Sequence, residues 1–162
     1  MVLLHLEIPI PISVAAARIA RKKGALVVFD LAPAVELPDE AYGTIDYITP
    51  NEIESEALVG FYPHDETKAA RAAKWFRSKG VGAAIIKLGA KGGYFESDQE
   101  RGFIPAFAVE SIDTVTAGDA FNGGLAVALA EGKSLAQAVE WAAAAGAMAT
   151  TRKGAMPSMP YR

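Results

Sequence analysis

Two stretches of this chain, Leu26-Val27-Val28-Phe29-Asp30-Leu31 and Ala83-Ala84-Ile85-Ile86-Lys87-Leu88, are apolar in continuous runs rather than at every second position. A strand with one face in water alternates. A short continuous run has both faces covered, as in parallel sheets packed between helices. The segments around these runs carry the helical period. Ser13 can cap a helix that runs to Gly24, with Ile12, Ala15, Ala16, Ile19 and Ala20 on one side. Residues 65–79 read as a second helix, closed by Gly80. Residues 118–131 read as a third, with Phe121, Leu125, Ala128 and Leu129 together, and Ser134 caps a fourth with Leu135, Val139, Ala142 and Ala149 inward. Trp75, Phe76 and Trp141 fall at helical spacing and are expected in the core. A strand over 2–7 is broken by Pro9 and Pro11. A short strand at 47–49 precedes a short helix at 52–59, and residues 92–96 and 101–104 pair as a hairpin turning at 97–100. Strands alternating with helices predict an α/β fold: three layers, with a mostly parallel sheet flanked by helices.

The length of 162 residues suits one domain over 1–162, and 51% hydrophobic with 22% charged residues is a globular composition. A formal net charge of −3 gives no electrostatic case for nucleic acid or an anionic membrane surface as partner. Cysteine is absent, which excludes disulfides and thiolate metal sites and fits a reducing, cytoplasmic location. No apolar run reaches membrane-spanning length. A buried-looking strand begins at residue 2 with no polar lead-in, so the chain is expected to start inside a larger fold.

Chemistry concentrates in three loops that follow strands, the place where ligands bind in such sheets. The first is Asp113-Thr114-Val115-Thr116-Ala117-Gly118-Asp119, a tight turn that opens a helix. Free first-turn amides and the helix dipole make an anion site there, and Gly118 admits a ligand without a Cβ in the way. A carboxylate beside that site, Asp119, can take a proton from an attacking hydroxyl, which is the equipment of phosphoryl transfer. The bland alternative is an ordinary helix start. The second loop, Thr49-Pro50-Asn51-Glu52-Ile53-Glu54, could set Asn51 near phosphates and let Glu54 hold Mg²⁺ through water. Helix capping accounts for the Asn51/Glu54 spacing at least as well. The third, Lys87-Leu88-Gly89-Ala90-Lys91-Gly92, could line a nucleotide or simply join two strands; it lacks Walker A spacing. Residues 151–158 combine a basic helix end with Gly154, and could also form a carbonyl-lined cation loop. Glu7, at the end of the first strand, is either solvated or faces a polyol. His5 and His64 stand alone.

Together these segments resemble the C-terminal half of a ribokinase-type sugar kinase of the PfkB carbohydrate kinase family. The carriers are Leu6-Glu7-Ile8-Pro9, Ala32-Pro33-Ala34, Leu37-Pro38, Ile48-Thr49-Pro50-Asn51-Glu52, Asp113-Thr114 with Ala117-Gly118-Asp119, and Thr151-Arg152-Lys153-Gly154-Ala155. The resemblance implies a Rossmann-like core from which the N-terminal half and lid are missing, and a nucleotide-binding portion of the kinase. It implies Asp119 as the catalytic base and sugar contact, with Ala117 and Gly118 forming the anion hole. Asn51 and Glu54 would act on phosphate and Mg²⁺, and Lys87, Gly89, Ala90 and Gly92 on ATP. A potassium site would comprise Asp113, Val115, Ala149, Arg152, Gly154 and Ser158, and Glu7 would touch the sugar. Thr116 stands where many members have Gly. The implied reaction is ATP-dependent phosphorylation of a small sugar, ribose at its 5-hydroxyl before others. The alternative is a nucleotide-binding or self-associating piece without turnover. Either way the uncovered apolar strands predict a homo-oligomer.

Overall fold

In the computed structural model, which describes residues 1–160, the continuous apolar runs lie inside one six-stranded sheet. Strands β1 (Val2–Leu4), β2 (Val27–Phe29), β3 (Tyr47–Ile48), β4 (Ala83–Lys87), β5 (Gly92–Glu96) and β6 (Arg101–Pro105) sit side by side in chain order. Strands β1 to β4 are parallel, while β5 and β6 return antiparallel as the expected hairpin, so the sheet is mixed. The helices are α1 (Ile10–Lys22), α2 (Asp39–Tyr42), α3 (Glu52–Val59), α4 (Glu66–Ser78), α5 (Ala117–Ala130) and α6 (Leu135–Ala149).

The period of two along each strand divides the core into two layers. Val27, Phe29, Ile48, Ala84 and Ile86 point to one face, where Val14, Ala17 and Ala20 of α1, Tyr42 of α2 and Ala69, Ala73 and Phe76 of α4 cover them. Val28, Ala83, Ile85 and Phe95 point to the other, against Phe121, Leu125 and Ala128 of α5 and Leu135, Val139 and Ala142 of α6. Each fully buried Leu, Ile or Phe contributes about 1.5–3 kcal/mol. Because β1 to β4 are parallel, their carboxyl ends share one rim, and Asp30, Asn51 and Lys87 all come to it.

Helix α1 departs from expectation. It begins at Ile10, with Pro9 at the N-cap and Pro11 inside the first turn, where a missing N–H costs no helical hydrogen bond. Ser13 is no cap; it is buried, and its hydroxyl donates to the His5 carbonyl at 2.9 Å. The buried face is therefore Ser13, Val14, Ala17 and Ala20, and it leaves Ile12 56% and Ile19 61% exposed. Strand β1 ends at Leu4, and among the described residues it pairs only with β2; Leu3 is 42% exposed. Trp141 is 40% exposed rather than core, with the Lys133 ammonium 5.2 Å from its ring centre. No helix among the described residues is long and apolar enough to cross a membrane.

Candidate active site

At the shared strand rim lies a cleft of about 650 Å³. Asn51 reaches it from the β3–α3 loop, Lys87, Gly89, Ala90 and Gly92 from the β4–β5 turn, and Ala117 and Gly118 from the start of α5. Three loops singled out separately in the sequence thus converge. Apolar lining also comes from residues 106–109 after β6 and from Ala143, Gly146 and Ala147 of α6, which were not anticipated, while Glu52, Ser111, Thr114 and Thr150 add polar atoms. The available signal was the run of small residues in the middle of α6, which leaves room beside the helix. The lining accordingly divides into a polar part, with an ammonium and open amides, and an apolar part able to take a flat ring.

The start of α5 is built differently from those of α3, α4 and α6. In those helices Asn51, Asp65 and Ser134 each accept a bond from the third helical N–H. Thr116, the N-cap of α5, makes no such bond. It is buried, and its hydroxyl lies 2.8 Å from the Ser158 hydroxyl, so its side chain turns away from the open amides. A Cβ added at Gly118 would meet nothing nearer than the Lys87 ammonium, at 3.7 Å. The Ala117 N–H donates to the Thr114 carbonyl at 3.2 Å, so the open part of the helix N-terminus is at Gly118, with a cation beside it and space in front. Asp119 stands on this first turn, exposed.

Behind the rim, Asn51 and Glu54 form the reciprocal capping box. The Asn51 N–H donates to Glu54 Oε2 at 2.8 Å, its side-chain amide to Oε1 at 2.8 Å, and the Glu54 N–H to Asn51 Oδ1 at 2.9 Å. Glu54 is 8% exposed. Burial pushes its pKa up, against the Asn51 N–H and the Lys87 charge that hold it down, and Asp30 adds to the upward push. Among the described residues no group of three or more His, Cys, Asp or Glu side chains could hold a metal ion alone. Any metal here must bring its own waters and phosphate ligands, as Mg²⁺ does and Zn²⁺ does not.

The expected cation loops also meet. Asp113 Oδ1 accepts from the Val115 N–H and Oδ2 from the Gly154 N–H, each at 3.1 Å, and the Ile112 and Asp113 N–H groups donate to the Thr150 carbonyl. The Gly154 and Val115 bonds hold the Asp113 carboxyl below the usual carboxylate range. Ser158 is buried against Thr116, Ala149 is buried in α6, and Arg152 is exposed. Glu7 does not line the cleft; its carboxylate is exposed, 3.5 Å from His5 Nδ1. Two residues were assigned no role from the sequence, Asp30 and Asn122. Asp30 Oδ2 accepts from Asn122 Nδ2 at 2.5 Å, and its Oδ1 lies 3.4 Å from Lys87 Nζ.

Comparison with known proteins gives a consistent result. The family model described as pfkB family carbohydrate kinase matches residues 3–162. A ribokinase of Haemophilus influenzae is 45% identical over 160 residues, which are 99% of this chain and 52% of that protein. The solved structure of Arabidopsis thaliana ribokinase complexed with ribose and ATP has a TM-score of 0.91 at 34% identity, covering 98% of this chain and 52% of that one. A structure from Escherichia coli described as ribokinase II, in complex with ATP and Mg²⁺, has a TM-score of 0.72 at 28% identity, covering 90% and 48%. The chain spans about half the length of the curated relatives it matches.

Proposed function

The chain belongs to the pfkB family of carbohydrate kinases, and from that premise we propose that its cleft takes ATP and serves transfer of the terminal phosphoryl group to a sugar hydroxyl. The preferred acceptor is D-ribose, at its 5-hydroxyl. One observation carries this reading: the uncapped start of α5, open at Gly118, with Lys87 on one side and Asp119 on the next residue.

The chain's own groups divide the work. The amides of Ala117 and Gly118 and the Lys87 ammonium stabilise charge on the transferring phosphoryl oxygens. The Asp119 carboxylate takes the proton as the sugar hydroxyl attacks. The apolar walls at 106–109 and 143–147 hold the base of the nucleotide, and Gly89, Ala90 and Gly92 let it lie close to backbone. Glu54 would hold Mg²⁺ through water, with Asn51 near the phosphates, and the bound ion would neutralise phosphate charge. The loops joined through Asp113 suit K⁺, with Val115, Ala149, Arg152, Gly154 and Ser158 around them, many through carbonyls. Glu7 is read as a sugar contact. A cytoplasmic setting agrees with the absence of cysteine.

These 162 residues are expected to bind ATP weakly and to phosphorylate ribose negligibly, because among the described residues no element forms a lid that excludes water. Calorimetry with ATP and Mg²⁺, paired with a coupled assay, tests both. Turnover in the range of about 1–100 s⁻¹ would overturn the second statement, and absence of ATP binding would overturn the first.

A second reading, a self-associating piece, is favoured by the β1–α1 margin. There Leu3 of β1 and Ile12 and Ile19 of α1 are 42%, 56% and 61% exposed, and among the described residues β1 has no strand on its outer edge. Leaving apolar area in water costs about 25 cal/mol per Å². A two-fold dimer through this margin is the expected state. Light scattering at micromolar concentration showing a monomer, with slow hydrogen exchange in β1, would contradict it.

A further inference from the structure

Strand β6 ends at Pro105, which has no N–H with which to continue the ladder. The Ala106 N–H still donates to the Lys91 carbonyl at 3.3 Å, and further on the Ile112 N–H donates to the Thr150 carbonyl at 2.7 Å. Between these two ties, residues 107–111 make no backbone hydrogen bond among the described residues, and all five are exposed. The segment is nevertheless a wall of the cleft, to which Phe107, Ala108, Val109 and Ser111 contribute. The other apolar wall, at Ala143, Gly146 and Ala147, is fixed by the ladder of α6. A wall held only at its ends, with its backbone in water, belongs to the least stable parts of a fold. Its apolar side chains are also still uncovered, Phe107 at 43% and Val109 at 42% exposure. Phe107 borders a second, smaller hollow as well, of about 350 Å³, which it shares with Trp141 and Ala144 of α6.

We propose that residues 107–111 form a strap that closes over the base of a bound nucleotide, with the Phe107 ring turning from the Trp141 hollow onto the base. The proposal rests on the reading that the apolar walls of the cleft take that base. An aromatic ring stacks on the face of any base, and both lose water in doing so. The strap can move without breaking a backbone hydrogen bond of its own, while the ties at Ala106 and Ile112 limit its travel. Polyphosphate alone offers an apolar ring nothing to cover, so the base is what distinguishes the closed from the open form. The strap covers the base and leaves the phosphate end at Gly118 open, so it is not a lid over the reacting atoms.

The test follows tryptophan emission and amide hydrogen exchange of the 162-residue chain during titration with ATP and with inorganic tripolyphosphate, each with Mg²⁺. The chain has two tryptophans. Trp141 shares the hollow with Phe107, whereas Trp75 packs edge-on against Tyr42 and Phe76 on the other face of the sheet. ATP should change the emission saturably and slow exchange over 107–111 at least about fivefold, and tripolyphosphate should do neither. Phe107→Ala should weaken ATP about tenfold and abolish the emission change, with tripolyphosphate affinity within about twofold of wild type. Trp141→Phe should remove the emission change and leave ATP affinity as it was, which assigns the signal. ATP bound by the wild-type chain without slower exchange over 107–111, or equal slowing by tripolyphosphate, would overturn the proposal and leave the nucleotide reading standing. A wild-type chain that binds no ATP would remove that reading and the proposal with it.

Discussion

Replacing Asp119 by Asn is expected to lower the rate of sugar phosphorylation at least about 100-fold, in any form of the protein that turns over sugar, with ATP affinity nearly unchanged. Asn has the shape of Asp and no basicity. Asp119 is exposed on the first turn of α5, so the change leaves the core and the neighbouring amides alone. The loss should appear in kcat, because a proton acceptor acts only as the hydroxyl attacks. A variant with near-normal kcat would remove Asp119 from the chemistry and leave it as an acid that complements the helix dipole.

The largest effect on stability is expected at Gly92. Its φ is +122°, and a Cβ there would lie 2.0 Å from the Ile104 carbonyl oxygen and 2.9 Å from the Ala106 nitrogen. Both obstacles are backbone, so neither can swing aside. Gly92 also begins β5 opposite Pro105, and its carbonyl accepts from the Leu88 N–H at 2.8 Å. Gly92→Ala should therefore open the β4–β5 turn and cost about 3 kcal/mol or more. Thermal melting reads this directly; a midpoint within a few degrees of wild type would contradict it. Gly118 is the counter-case. It has ordinary φ and only a flexible lysine tip nearby, so its lack of a side chain serves the cleft rather than the fold.

The contrast between these two glycines explains why the sequence was readable in some places and not in others. Local rules carried the strands covered on both faces, the α3 capping box and the hairpin, because a continuous apolar run, an Asn three residues before a Glu and a polar turn each have one cheap solution. They failed on α1, where Ile12 and Ile19 have the helical period but the sheet takes the Ser13–Val14 side. Periodicity says that a face is apolar, not how wide an arc its neighbours can cover. Trp141 went astray for the same reason. In the site, Asp30 was hidden inside an apolar run. A buried acid must have partners, and Asn122 together with Lys87, near the end of the other such run, supplies them. Asp30 and Lys87 are 57 positions apart in sequence, and only the parallel pairing through β3 brings them to one rim.

The most direct test of the proposed site is an amide-resolved NMR titration of the chain with ATP and Mg²⁺. Perturbations are predicted at residues 89–92, at the start of α5 over 117–119, and in the apolar walls at 106–109 and 143–147, with the α5 amides moving furthest downfield as they take up phosphate oxygens. Saturable shifts that leave 117–119 untouched, or no shifts at millimolar ATP, would contradict the account.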